Sequence, residues 1–471
     1  MSKDMGKGMD KYDIIVVGGG NAALTSAITA AEKGKRVILL ERAPKEFRGG
    51  NSKFTRSIRY VHETPDQYTT KEYTEEDFLK DIIEVTGGQT NIELSKYIVK
   101  RSAELPKWME KHKVKLKRAV RGAFHYSGTN AFILGGGGQL IKTYYEYAEK
   151  IGVKVIYNAT VKDFIAKNEK IDGVVAEING KREIINGEAI IVASGGFEAN
   201  LEWLKQYLGD AVDNIIVRGV KYNDGIPLRA LYKLGAAPPD TVKNPKDAHW
   251  TAVDARAPKF NGGFVTRIDL IPIGIVVNKK GERIYDEGED LWIKRYVLWG
   301  RLILEQPEQI AYVIIDSSML GDSLIPMYSP IKANSIKDLS HALGVNEDNL
   351  ISTISRFNQS IPKNCHYDLS ELDDCGTINL YPPKSHWAKP LLHSPFYAWP
   401  LRPGITFTYM GVKVGLDMRV IRTNGKAFDN VFAAGELTVG NIFGRGYLGG
   451  TGLVIGSIIG ITAGEVASEY V

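Results

Sequence analysis

Tyr12–Val17 is an apolar run rich in β-branched residues, the pattern of a strand buried on both faces. Small and apolar side chains then recur at Ala22, Ala23, Ala27, Ile28 and Ala31, which is helical spacing, and Gly34 closes that helix. Arg36–Leu40 predicts a second strand, and Glu75 to Lys113 reads mostly as helix. A glycine cluster opens another helix at Gln139, with Leu140, Tyr144, Tyr147 and Ala148 on its faces. The stretch "VKVIYNATVKDFIAKNEKIDGVVAEINGKREIINGEAIIVAS" predicts a small antiparallel meander with turns at Asn168–Lys170 and Asn179–Gly180. It ends in a buried strand that runs into Gly195 and Gly196. From Pro238 to Trp399 prolines and aromatics are denser and the alternation is less regular, which is the texture of an inserted unit with its own core. Glycine-rich sequence returns at Gly404, and the chain closes with a strand, a glycine-rich loop and a helix starting near Thr451.

Length and composition narrow the reading. At 471 residues the chain is too long for one ordinary core and implies two or more domains. Its 44% hydrophobic and 24% charged residues are those of a soluble globular protein. Sixty basic against 55 acidic residues leave a formal charge of +5, too slight to argue for nucleic acid. The clearest basic run, Lys111 to Arg121, reads as a solvated helix end and edge strand. Cys365 and Cys375 have neither CxxC nor metal-ligand spacing, so neither a disulfide nor an iron–sulfur cluster is expected, and no metal site stands out. The polar N-terminus shows no secretory leader, and the apolar stretch from Leu453 is too short to span a bilayer. A cytoplasmic protein, meeting a membrane only through a partner, is the expectation.

The first strand, helix and second strand carry a specific chemistry. Gly18, Gly20 and Ala23 have G-x-G-x-x-G/A spacing: a tight turn, close backbone approach to a pyrophosphate, and close helix–sheet packing. The pyrophosphate would sit at the helix N-terminus beside Gly18, Gly20, Asn21 and Ala22. Glu41, at the end of the second strand and followed by Arg42, is placed to accept hydrogen bonds from a ribose. A second glycine-rich loop with its own helix N-terminus, "GYLGGTGLVIG", stands at the opposite end of the chain. A nicotinamide cofactor does not call for it. A flavin does, because its ring lies far from its adenine and a helix N-terminus stabilises the charge that develops on reduction. FAD is therefore the expected cofactor. Gly50, Asn51 and Ser52 are expected near the flavin ring, with Gly450, Gly452 and Leu453 in its loop. Val161 is expected at adenine. Ala193, Ser194, Gly195 and Asp224 are expected to close the pocket, and Gly435 and Glu436 to reach the ribityl hydroxyls. Gly456, Gly460 and Gly464 read as a close-packing stripe.

The strings "VVGGGNAAL", "GGNS", "ASGGF", "NDGI", "AAGE" and "LGGTGL" resemble, in order, the fumarate reductase/succinate dehydrogenase flavoprotein superfamily. "RGGNSKFTRSIRY", "DARAPKF", "GIVVNKKGERIYDEGED" and "ITFTYMGVKV" resemble the FAD-dependent tricarballylate dehydrogenases and the related cobalamin-biosynthesis flavoproteins. The resemblance implies an α/β fold: a Rossmann-like FAD-binding domain split in sequence by an inserted α+β capping domain. The expected boundaries are 1–236, 237–400 and 401–471. It also implies hydride transfer between substrate and flavin N5, tricarballylate going to cis-aconitate, and a separate iron–sulfur or membrane partner for the electrons. Asn51 stands where the superfamily attaches flavin through histidine, so the FAD should be non-covalent. Phe407 replaces a substrate-binding histidine and Tyr447 a carboxylate-clamping arginine. Arg267 and Leu270 replace the acid and the proton-relay arginine of another superfamily string.

Desaturating a saturated acid requires a base for the α proton, a hydride acceptor, and cations for the carboxylates. Arginine suits the last role because its fork binds carboxylate bidentately. The candidates are Arg445, flanked by glycines, then Arg256 and Arg267, with Arg59 further off. For the base they are Tyr447, Tyr409 and His249. Two other readings stay open. One is a fumarate reductase-like enzyme or a desaturase of a neutral ketone of the 3-ketosteroid type, favoured by the tyrosines. The other is an electron-transfer or nucleic-acid-binding flavoprotein subunit, whose only support is the slight positive charge.

Overall fold

The computed structural model describes residues 11–120, 124–167, 170–260, 266–322, 324 and 326–471. Arg121, the turn residues Asn168 and Glu169, and the polar N-terminal stretch up to Asp10 lie outside them.

An eight-stranded sheet forms the first layer. Its centre is β1 (Tyr12–Val17), followed by α1 (Asn21–Glu32) and β2 (Val37–Leu40). β3 (Lys154–Ile156) extends it beyond β2. The meander is β4 (Ala159–Lys167), β5 (Lys170–Ile178) and β6 (Lys181–Val192). The first part of β6 pairs antiparallel with β5, and its last residues pair parallel with β1. Fully buried Ile14, Ile15 and Val16 match the buried run that the pattern anticipates, because helices cover both faces of a parallel sheet. The region from Glu75 to Lys111 forms three helices, Glu75–Thr86, Ile92–Ser102 and Leu105–Lys111. The helix expected at Gln139 begins slightly earlier, as α2 (Gly136–Lys150).

A six-stranded sheet is built from β7 (Ile216–Val217), β8 (Ala248–Asp254), β9 (Ile275–Asn278), β10 (Ala311–Asp316), β11 (Ile331–Ala333) and β12 (Phe396–Thr408). β12 is its spine. It pairs parallel with β7 and antiparallel with β8, β10 and β11. Its last residues, Thr406 to Thr408, run back towards the first sheet, where Thr408 meets the side chain of Glu436.

The chain then returns through β13 (Arg419–Ile421) and β14 (Ala427–Ala433), which pairs parallel with β6. It ends in α3 (Thr451–Tyr470). The apolar stretch near Leu453 is thus part of a 20-residue helix, longer than the stretch itself suggests and long and apolar enough to cross a membrane. In the fold it lies in the core instead, with 83% of its apolar window buried. A Cβ at Gly460 would come within 2.6 Å of the Ala22 carbonyl oxygen, and one at Gly464 within 2.6 Å of the Ser26 carbonyl oxygen. The glycine stripe therefore sets the distance at which α1 and α3 pack.

Cys365 and Cys375 are disulfide-bonded, which corrects the expectation from their spacing. The residues lie ten apart in sequence with Cα atoms 5.1 Å apart. The loop that joins them folds back on Trp387, whose peptide N–H donates to Asp373, so a tertiary contact rather than a short motif brings the sulfurs together.

Candidate active site

Four strands of the first sheet end in register. Val17 lies beside Leu40 and Val192, and Val192 beside Ala433. The loops after them share the carboxyl edge of the sheet, where ligands of open α/β sheets bind. Gly18, Gly20, Asn21 and Ala22 follow β1, and Glu41 and Arg42 follow β2. Ala193, Ser194 and Gly195 follow β6, and Gly435 and Glu436 follow β14. One long cavity is lined by all of them and also by Gly50, Asn51, Ser52, Val161, Asp224, Gly450, Gly452 and Leu453. Every residue expected to hold the cofactor borders this single space.

The local chemistry explains the arrangement. Gly18 has φ +115°, and a Cβ there would lie 2.2 Å from the Ala193 carbonyl oxygen, so the β1 and β6 loops touch only because this residue is glycine. The Ser52 hydroxyl accepts from the Asn21 peptide N–H at 3.1 Å. The Asn21 amide donates to the Leu453 carbonyl at 3.2 Å and to the Ser457 hydroxyl at 2.9 Å. Asn21 thereby ties the N-termini of α1 and α3 side by side, although they lie at opposite ends of the sequence. Glu41 accepts from the Ala43 N–H at 2.7 Å, and burial pushes its carboxyl above the usual range. Arg42 and Asp224 pair with each other at the cavity wall.

The residues fit a dinucleotide cofactor. The buried Asn21 Oδ1 and Ser194 Oγ have no hydrogen-bond partner among the described residues, and both side chains border the cavity. Gly450, at φ +92°, opens α3 toward the same space. Asn51 is fixed on the cavity wall by hydrogen bonds. Its amide donates to Glu198 and to the Thr406 carbonyl, each at 2.7 Å, and its oxygen accepts from the Val220 N–H at 2.9 Å.

Of the catalytic candidates, His249, Arg267 and Tyr447 border the cavity. Arg445, Arg256 and Tyr409 do not. Arg445 is exposed and lies near Gly87, at the C-terminal end of the helix Glu75–Thr86, where a cation is favourable. The positive φ of Gly446 turns the chain between Arg445 and Tyr447, so Tyr447 points inward instead. Arg256 clasps Asp254 with Nε–Oδ1 at 2.8 Å and Nη2–Oδ2 at 2.6 Å, and it donates to the Ser329 carbonyl. Tyr409 is fully buried and donates to the Gly446 carbonyl. Arg59 supports the flavin loop from behind, donating to the Gly449 carbonyl at 3.1 Å and pairing with Asp81.

One end of the cavity holds residues that the sequence reading passed over. Arg56, Tyr126, Arg218, Tyr296 and Thr406 border it together with Phe407. Arg267 chelates Asp269 with two 2.7 Å bonds, and Arg56 approaches the same carboxylate at 4.0 Å. Arg218 donates to the hydroxyls of Thr251 at 3.2 Å and Thr406 at 2.8 Å. Burial first, and the like charges of Arg267 and Arg56 after it, push its guanidinium below the usual range. The His249 ring centre lies 4.5 Å from that of Phe407, tilted, and 4.4 Å from that of Tyr447, edge-on, and its Nε2 meets the Tyr296 hydroxyl at 3.1 Å. Burial, with Arg218 and Arg267 nearby, keeps its imidazole neutral. The two phenols facing these arginines diverge. Burial drives Tyr296 well above 10, whereas Arg56 and Arg267 outweigh burial at Tyr126 and bring it below 10. The Arg56 guanidinium stacks 4.6 Å from the Tyr126 ring centre. The string "TRSIRY" offers both Arg56 and Arg59, and only the fold separates the one at the cavity from the one behind the loop. Nothing local marks Arg218, whose neighbours come from β8 and β12.

Fold and site define a flavoprotein of the two-helix, carboxyl-edge type. The FAD binding domain family matches residues 13–453, and the chain belongs to it; FAD is its cofactor. Among characterised relatives it is 25% identical over 472 residues to the NADH:fumarate oxidoreductase of Klebsiella pneumoniae, covering 97% of this chain and 48% of that one. The chain thus spans about half the length of that relative. A flavocytochrome c3 fumarate reductase, solved in an open conformation, superposes with a TM-score of 0.76 at 21% identity, covering 98% of this chain and 79% of the other. A 3-ketosteroid Δ1-dehydrogenase of Sterolibacterium denitrificans superposes with a TM-score of 0.78 at 17% identity, covering 98% and 100%.

Proposed function

We propose that the protein is an FAD-dependent oxidoreductase acting on a C–C single or double bond next to a carboxylate, with tricarballylate and cis-aconitate as the first substrate pair to test. One observation carries this reading. Three guanidinium groups, Arg56, Arg218 and Arg267, border the same cavity, Arg267 chelating Asp269 and Arg56 lying 4.0 Å from that carboxylate. Guanidinium groups that border a cavity can bind the carboxylates of an anionic substrate bidentately. The similarity to a fumarate oxidoreductase supports the same substrate class.

FAD supplies the two-electron hydride acceptor. The chain's own residues do the rest. Arg218, with Arg267 behind it, orients the carboxylates, and the neutral His249 imidazole presents its buried Nδ1, which has no partner among the described residues. The rings of His249, Phe407 and Tyr447 exclude water. Tyr126, whose ionisation Arg56 and Arg267 favour, takes the proton α to the carboxylate and becomes the phenol. In the reductive direction the same phenol returns it. In this reading Tyr126, rather than Tyr447, Tyr409 or His249, is the proton carrier. A second reading, desaturation of a neutral ketone, is favoured by the three phenols of Tyr126, Tyr296 and Tyr447 on one cavity.

The test is anaerobic bleaching of the bound flavin by tricarballylate, succinate, a 3-ketosteroid or NADH in separate cuvettes. Bleaching by one of the acids supports the proposal and identifies the acid. Bleaching by the steroid alone refutes it.

A further inference from the structure

Five rings, those of Tyr126, His249, Tyr296, Phe407 and Tyr447, border the cavity together with Arg56, Arg218 and Arg267. They are arranged as a box. Besides the His249 contacts, the Phe407 and Tyr447 ring centres lie 5.4 Å apart, edge-on, and those of Tyr296 and Tyr447 lie 6.2 Å apart, also edge-on. The polar tips of two of these side chains are spent within the protein. The Tyr447 hydroxyl accepts from the Gly452 N–H at 2.7 Å, and the Tyr296 hydroxyl is engaged by His249 Nε2. Tyr296 and Tyr447 therefore offer the space mainly ring carbon. Phe407, which has no polar tip, is only half-buried although it borders an interior space. A single polar atom of the box is left over: His249 Nδ1 is buried and has no partner among the described residues.

The three guanidinium groups are not equivalent. Arg267 directs Nε and Nη2 at Asp269, each at 2.7 Å, while its Cζ lies 4.3 Å from the Tyr296 ring centre. The Trp292 indole donates to the same carboxylate at 2.8 Å and fixes it in place. Arg56 lies 4.0 Å from that carboxylate and 4.6 Å from the Tyr126 ring centre. Arg218 donates instead to neutral hydroxyls, those of Thr251 and Thr406. A bidentate clamp aims two parallel N–H groups at one carboxylate. Arg267 already makes that clamp with Asp269, so the first carboxylate of a substrate falls to Arg218.

We infer that the acid this site takes carries one carboxylate, held at Arg218, and an aryl group that lies in the ring box: a 3-arylprop-2-enoate, or the 3-arylpropanoate it becomes on reduction. The inference rests on the carboxylate reading proposed above and narrows it from polyacids to aryl monoacids. Aromatic rings pair at centre distances of about 4.5–7 Å, so one more ring continues the packing that the box residues already show. A second carboxylate in the same place would be stripped of water against ring carbon, which is costly. A hydroxyl on the ligand ring would give His249 Nδ1 a hydrogen-bond partner. In the reductive direction the double bond gains a hydride at the β carbon and a proton at the α carbon, and the reduced flavin gives up the two electrons. The carboxylate and the ring emerge unchanged.

The holoenzyme, reduced with dithionite under nitrogen, tests this in a stopped-flow cell. Flavin reoxidation is followed against the concentration of cinnamate, 4-hydroxycinnamate, acrylate, fumarate and cis-aconitate. The two aryl acids should half-saturate at concentrations at least about tenfold below those of the other three, the gain expected from burying a ring among rings. Phe407→Ala should raise half-saturation for cinnamate by about tenfold more than for acrylate, which has the carboxylate and no ring. If fumarate or cis-aconitate reoxidises the flavin at lower concentration than the aryl acids, the inference is overturned and the carboxylate reading stands. Equal losses for cinnamate and acrylate in Phe407→Ala also overturn it; if that variant does not fold, the wild-type comparison decides. Should no acid reoxidise the flavin, the carboxylate reading falls and takes the inference with it.

Discussion

Replacing Arg218 with methionine removes one guanidinium from the anion-binding end of the cavity while keeping most of its volume. The effect on the fold is small. The variant loses hydrogen bonds to Thr251 and Thr406, each contributing about 1 kcal/mol. Against that, it no longer buries a cation beside Arg267. These contributions oppose each other, leaving a net change of roughly 1 kcal/mol and a melting shift of only a few degrees. The effect on substrate is large. Two unit charges about 4 Å apart at an effective dielectric of about 20 interact by ~4 kcal/mol, and truncating one partner of a buried ionic contact costs about 2–5 kcal/mol. Taking roughly 3 kcal/mol, the acid concentration that half-saturates flavin reduction should rise on the order of 100-fold. Arg218→Lys, which keeps the charge and loses the fork, should fall between the two. The assay is anaerobic stopped-flow reduction of the bound FAD against acid concentration, with FAD content and melting temperature as controls. Half-saturation within about threefold of wild type, at unchanged FAD content, would falsify the assignment of Arg218 to the substrate.

Tyr126 is lowered below the phenol's ordinary value of 10, so the rate of flavin reduction by the acid should rise with pH and level off before pH 10. Tyr126→Phe should lose that rise and slow the plateau by about 10²–10⁴-fold, the usual range for an acid–base group; an unchanged pH profile removes Tyr126 from the chemistry. Gly450→Ala places a Cβ 2.0 Å from Asn130 Nδ2 at φ +92°, so the α3 N-terminus must shift and the purified protein should carry substoichiometric FAD by absorbance. Full occupancy would show that the loop tolerates a side chain. Arg445→Ala, at an exposed position away from the cavity, should leave both FAD content and half-saturation within about twofold, and a large rise would restore Arg445 to the site.

The first strand, its glycine turn, α1 and Glu41 were legible from the sequence because each depends on neighbours within a few residues: an apolar run, φ-permissive glycines, small helix-packing residues. The start of α3 at Thr451 and the close-packing role of Gly460 were legible for the same reason. The cofactor-lining residues could be named because the strand-end loops that carry them have their own local signatures. Their convergence follows from the parallel register that puts Val17, Leu40, Val192 and Ala433 at one edge.

The catalytic end had no such signature. Arg56, Tyr126, Arg218 and Tyr296 come from four separate stretches, and a tyrosine in sequence carries no sign that two guanidiniums will lower one phenol while burial raises another. Arg445 had the right glycine context, but one residue in the left-handed region, Gly446, turned it outward. The Cys365–Cys375 bond belongs to the same group. The sequence by itself determined the secondary elements, the glycine cradles and hence the kind of cofactor, since these follow from backbone freedom and short-range periodicity. Tertiary structure alone decided which charges face each other in the cavity, because burial and electrostatic pairing depend on residues that only the packing of the two sheets brings within a few ångströms.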